Sequence, residues 1–158
     1  MLTGALASSY YGRPRTTLDV DVAVVGTRTD LATLANALRR ASFNVEEQRL
    51  AAAWQSQDRI ATIEDKKSPH TLDIIFTEGT LEREAGSILG LPTFYQTPES
   101  LILAKLRMIK ATLHPERTAI DREDIKAILK SSRVRLEDLR KKAKDQATSE
   151  ILEDLIRE

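Results

Sequence analysis

The sequence predicts an α/β (α+β) chain: a small mixed sheet flanked by helices, followed by a helical C-terminal part. Three observations predict it. Residues 18–25 and 70–76 are apolar runs rich in β-branched side chains, and residues 59–64 alternate apolar and polar. Leu31, Leu34, Ala35, Leu38 and Ala41 recur at helical spacing between the strands. From Thr97 onward only helical patterns occur. The chain therefore reads as an α/β core over 1–96 and a helical part over 97–158 packed on it, with no flexible linker between them.

Each element has a local reason. Met1-Leu2-Thr3 reads as the tail of a strand entering a turn at Gly4, a strand too short to pair strongly. Residues 5–11 form a short helix closed by Gly12. The loop Arg13-Pro14-Arg15-Thr16-Thr17 follows, because a residue before proline is pushed out of the helical region. The strand over 18–25 stops at Gly26, and Thr29 or Asp30 caps the next helix. Residues 46–57 suggest a weaker helix. The turn Asp65-Lys66-Lys67-Ser68-Pro69 joins the strands over 59–64 and 70–76 into a hairpin. Residues 81–89 read as a helix and 91–96 as extended chain. Thr97-Pro98-Glu99 is a cap with proline at the first helical position. Helices are then expected over 98–113, 121–130, 136–144 and 149–158.

Composition narrows the class. The 158 residues fit one domain or a domain with a modest appendage. With 24 basic and 24 acidic residues the net charge is zero, which argues against a protein that coats nucleic acid, although a local basic patch stays open. Aromatics at 4% are too few for a single-strand stacking platform. The absence of cysteine excludes disulfides and thiolate metal sites. No basic segment followed by a long apolar run opens the chain, and no run is long enough to span a bilayer, so a soluble cytoplasmic protein without membrane contact is expected.

Three constellations carry chemistry. Asp19 and Asp21 alternate in a strand and so share one face. Asp73 lies inside the apolar run Leu72-Asp73-Ile74-Ile75-Phe76, where an acid is costly unless paired or bound to a metal. If the two strands are neighbours, three hard carboxylates converge, as Mg²⁺ bridging a phosphoryl transfer requires. Second, Gly4-Ala5 at a strand-to-helix turn offers backbone N–H groups to phosphate, with Arg13 and Arg15 close in sequence. Taken alone, the glycine before a helix reads first as an ordinary turn. Third, Lys105 sits inside an apolar helical arc, and Asp121 and Asp124 share a face with Ile125 and Ile128. A salt bridge between helices and a contact to a nucleotide phosphate are both open for this lysine. His70 and His114 are isolated, Ser8 and Ser9 lack a histidine partner, and Trp54 reads as packing. The run Arg133, Arg135, Arg140, Lys141, Lys142 and Lys144, interleaved with Glu137 and Asp138, reads as a solvated face.

These residues resemble the nucleotidyltransferase superfamily with its polymerase-beta-like fold, and more narrowly the AbiEii-type toxin branch of type IV toxin–antitoxin systems. The resemblance rests on Thr3-Gly4-Ala5-Leu6-Ala7, Arg15-Thr16-Thr17-Leu18-Asp19-Val20-Asp21, Leu72-Asp73-Ile74, the segment Pro98-Glu99-Ser100-Leu101-Ile102-Leu103-Ala104-Lys105-Leu106, and Asp121-Arg122-Glu123-Asp124-Ile125. It implies a sheet of nucleotidyltransferase type and transfer of a nucleotidyl group from an NTP to a hydroxyl, with release of pyrophosphate. It also implies Asp19, Asp21 and Asp73 as ligands of Mg²⁺ or Mn²⁺, with Asp73 helping to hold the metal or taking the proton from the acceptor hydroxyl. Catalytic roles fall to these acids and Lys105. Nucleotide binding falls to Gly4, Ala5, Ser8, Arg13, Arg15, Thr16, Lys105, Asp121 and Asp124. The implied partners are an NTP, an acceptor such as RNA, an antitoxin protein and a second copy of the chain. The superfamily's usual Gly-Ser is Gly-Ala here, so phosphate grip rests on backbone groups. The alternative is a degenerate module that keeps the fold and binds nucleotide or a protein without chemistry.

Overall fold

A computed structural model describes every residue of the chain except Arg13. It is a mixed α/β fold. Contacts divide it into two compact units, Met1–Leu6 with Thr16–Tyr95, and Ala7–Arg15 with Gln96–Glu158.

The first unit is built on three strands: β1 (Asp19–Val25), β2 (Ile60–Glu64) and β3 (Thr71–Thr77). Their order is β1-β3-β2, with β3 central, parallel to β1 and antiparallel to β2. The β2–β3 pair is the expected hairpin. Alternation sorts the side chains by face. Ala61, Ile63, Ile74 and Phe76 are buried in one core with Leu31, Ala35 and Leu38 of α2 (Leu31–Arg40) and Leu50 of α3 (Glu47–Gln55). Trp54 packs edge-on against Phe76, with ring centroids 5.2 Å apart, so it is a packing residue. The opposite face of the sheet carries Asp19, Asp21 and Asp73, which are neither fully buried nor exposed.

The segment 81–89 corrects a sequence expectation. It contains β4 (Arg83–Ile88), paired with β5 (Leu91–Gln96) in a separate two-stranded sheet. Leu81, Ala85 and Leu89 sit four apart among helix-favouring Glu and Arg, which mimics a helix. Pairing with β5 overrides that weak preference. The connecting turn holds Leu89 and Gly90 at φ of 50° and 79°. Leu2 adds isolated bridges to Val22 and Tyr95.

The second unit is helical among the described residues. It contains α4 (Pro98–Ala111), α5 (Pro115–Ser131), α6 (Leu136–Asp145) and α7 (Ser149–Arg157). The N-terminal helix α1 (Gly4–Tyr11) begins in the first unit and continues into the second. Thr97 caps α4 by accepting from the Ser100 amide, and Pro98 opens the helix as expected. Leu101, Ile102, Leu106, Ile125, Ile128, Leu139 and Leu152 are almost wholly buried and form the core of this unit. Glu99 is only 3% exposed. Burial alone would raise its pKa, but the Arg135 amide (2.8 Å), the Glu99 amide and the Arg135 guanidinium outweigh burial and hold it below the usual range. Among the described residues no helix is long and apolar enough to cross a membrane.

Candidate metal centre

In a parallel pair, register partners present their side chains on the same face. Asp21 of β1 is the register partner of Asp73 of β3, and Asp19 pairs with Thr71 one alternation away. The carboxylates of Asp19, Asp21 and Asp73 each offer an oxygen within 4.8 Å of the other two. Two oxygens on one Mg²⁺ lie up to about 4.2 Å apart, given bonds of about 2.1 Å. The observed spread of up to 4.8 Å is thus close to what three ligands of one ion span.

A buried atom supports the fit. Asp73 Oδ1 is excluded from solvent and has no hydrogen-bond partner. A carboxylate oxygen stranded in this way is expensive, and a bound cation is one of the few things that satisfies it. The residues present thus suit a hard divalent cation.

Two further residues shape the centre. Gly4 opens α1 with φ of +57°, and a Cβ there would overlap the Asp21 carboxylate. Glycine is required at this position on both counts. Asp21 consequently lies against the first residue of a helix, the end at which an anion is favoured. Thr17 donates its hydroxyl to Asp19 Oδ1 and to the Asp19 main-chain oxygen, the latter at 3.2 Å. Sequence reasoning singled out Thr16, which is exposed, instead of Thr17. Period-two spacing was the available signal, since Thr17, Asp19 and Asp21 occupy alternate positions.

The other expected site residues stand as follows. Ala5 and Ser8 are buried on α1. Arg13 lies outside the described residues. In the second unit Lys105, 6% exposed, places its Nζ 2.7 Å from both Asp121 Oδ1 and Asp124 Oδ2. Arg15 Nη2 lies 3.5 Å from Asp124 Oδ2. Arg117, which the sequence did not single out, sets its Nε 3.5 Å from Asp121 Oδ2. The lysine left open between two roles thus bridges α4 and α5 as the centre of a buried ion cluster. Arg135 and Arg140, from the basic run, pair with Glu99 and Glu153. No family model and no curated protein sequence matches this chain.

Proposed function

We propose that the chain is a divalent-metal-dependent nucleotidyltransferase that moves a nucleotidyl group from an NTP to a hydroxyl acceptor, with RNA among the acceptors. The observation that carries this is the meeting of Asp19, Asp21 and Asp73 on neighbouring strands, with one buried oxygen left unsatisfied. Asp19, Asp21 and Asp73 would hold Mg²⁺ or Mn²⁺. When bound, the ion supplies charge neutralisation for the triphosphate and a lowered pKa for the attacking hydroxyl. Asp73 would either complete the ion's ligand set or take the proton of that hydroxyl. The space at Gly4 is taken by the Asp21 carboxylate, so this glycine accommodates a metal ligand and not a phosphate. The resemblance to the AbiEii-type branch extends this to a toxin role beside an antitoxin.

The test is transfer of label from an α-labelled NTP to total RNA and total protein, assayed side by side with Mg²⁺ or Mn²⁺. Label should appear in one pool and vanish with EDTA and in Asp21→Ala. Failure to label either pool with any NTP and either metal would overturn the assignment. The binding-module reading is favoured by Ala5, which offers no hydroxyl to a phosphate. It would be supported by nucleotide binding without any product.

A further inference from the structure

We propose that Thr17 is a positioning residue of the metal centre, setting the Asp19 carboxylate through its hydroxyl. The inference rests on the metal reading above. Asp19 opens β1, next to a loop, where neighbouring strands constrain a side chain least. Asp19 stands at the first register position of the β1–β3 pair, opposite Thr71, whereas Asp21 and Asp73 face each other inside their strands. The Thr17 hydroxyl meets Asp19 at two atoms, the carboxylate Oδ1 and the main-chain oxygen. A single O–H facing both acceptors ties the side chain to its own backbone. Thr17 is half-buried while its neighbours Thr16 and Leu18 are exposed, so this hydroxyl is turned inward.

The device has a chemical consequence. A carboxylate that accepts a hydrogen bond from a hydroxyl is held in one orientation, which fixes how it meets a cation. β-Branching at Thr17 adds stiffness about χ1, which fixes the hydroxyl itself. Removal of an outer partner of a metal ligand typically weakens metal affinity about 10–100-fold. Thr17 needs no contact with the ion or the substrate to have this effect.

The test uses the full chain and Mn²⁺ alone as probe, read by electron paramagnetic resonance of free Mn²⁺ and by calorimetry. Thr17→Val keeps shape and branching and removes the hydroxyl. Thr17→Ser keeps the hydroxyl. Mn²⁺ affinity should fall about tenfold or more in Thr17→Val and stay within about threefold of the parent in Thr17→Ser. Circular dichroism and the urea midpoint of Thr17→Val, with metal absent, establish that its fold is retained. Parent-like Mn²⁺ binding by Thr17→Val overturns the inference, as does a Thr17→Ser protein as weak as Thr17→Val. Asp21→Asn separates this from the reading beneath it. If the parent binds Mn²⁺, Asp21→Asn does not, and Thr17→Val matches the parent, only the role of Thr17 fails. If the parent shows no Asp21-dependent Mn²⁺ binding, the metal centre itself fails and the inference with it.

Discussion

In the second unit the buried carboxylates Asp121 and Asp124 close on the ammonium of Lys105, each at 2.7 Å. In the first, Asp19, Asp21 and Asp73 gather within 4.8 Å and leave Asp73 Oδ1 without a hydrogen bond. Overall charge follows the same division. Acids outnumber bases by four in the first unit (twelve against eight), and bases outnumber acids by four in the second (sixteen against twelve). The neutrality of the whole chain conceals two oppositely charged parts. The difference teaches how to tell a structural acid from a chemical one. Asp121 Oδ2 also lacks a hydrogen bond, yet it lies 3.5 Å from the Arg117 guanidinium, so the charge of this cluster is met from within the chain. In the Asp19, Asp21 and Asp73 cluster no such cation among the described residues stands beside Asp73 Oδ1, and a divalent ion would supply one.

The strongest way to break this comparison is Lys105→Met. It leaves Asp121 and Asp124 buried beside each other without their central cation. Removing one partner of a buried pair costs about 3–5 kcal/mol, so the urea midpoint should fall steeply. A loss below about 1 kcal/mol, the range of exposed pairs, would show that the cluster is not structural.

Glu99 sharpens the contrast through pH. Its pKa is held below the usual range by Arg135 and backbone amides despite burial. The folded state therefore binds this proton less tightly than the unfolded state does. The stabilisation is complete at neutral pH and disappears as pH falls through the lowered pKa. Glu99→Gln should cost about 1.5–3 kcal/mol at pH 7, as for hydrogen bonds to charged groups. The gap between the two proteins should narrow as pH is lowered from neutrality to below the ordinary carboxylate range. Urea titrations at both pH values check this, and a gap independent of pH would remove the carboxylate from the account.

The smallest effect has the opposite sign. Asp73→Asn in the presence of EDTA removes a like-charge pair across β1 and β3. It should raise stability by about 0.2–1 kcal/mol while abolishing Mn²⁺ binding. Gain in fold with loss of metal is the signature of acids kept for chemistry. A destabilised Asp73→Asn protein would place Asp73 with the structural acids instead.

Much of this division was legible in the residues. Asp19, Asp21 and Asp73 are visible because acids interrupt apolar runs whose period identifies strands. The β2–β3 hairpin was legible from its turn. The parallel pairing of β1 with β3 was not, since it joins segments separated by α2, α3 and β2, and no local signal sets a register over that distance. The start of α5 at Pro115 was missed although Pro115-Glu116 repeats the pattern of Pro98-Glu99. His114 makes no side-chain cap there, whereas Thr97 does, so the usual capping signal was absent. Lys105 was recognised as unusual, but only coordinates show that two aspartates, not one, hold it.

The register of β1 on β3 reaches beyond geometry. Asp21 faces Asp73 only while those strands are zipped in one alignment, and a slip of a single residue would turn one acid to the opposite side of the sheet. If the three acids hold a divalent ion as proposed, affinity for it would gauge whether this long-range pairing of the first unit has formed. A misfolded or slipped population would be invisible to a helix signal yet silent to Mn²⁺. Titration with the ion would then count correctly folded molecules directly, and excess ion would draw the remainder toward the native alignment by mass action.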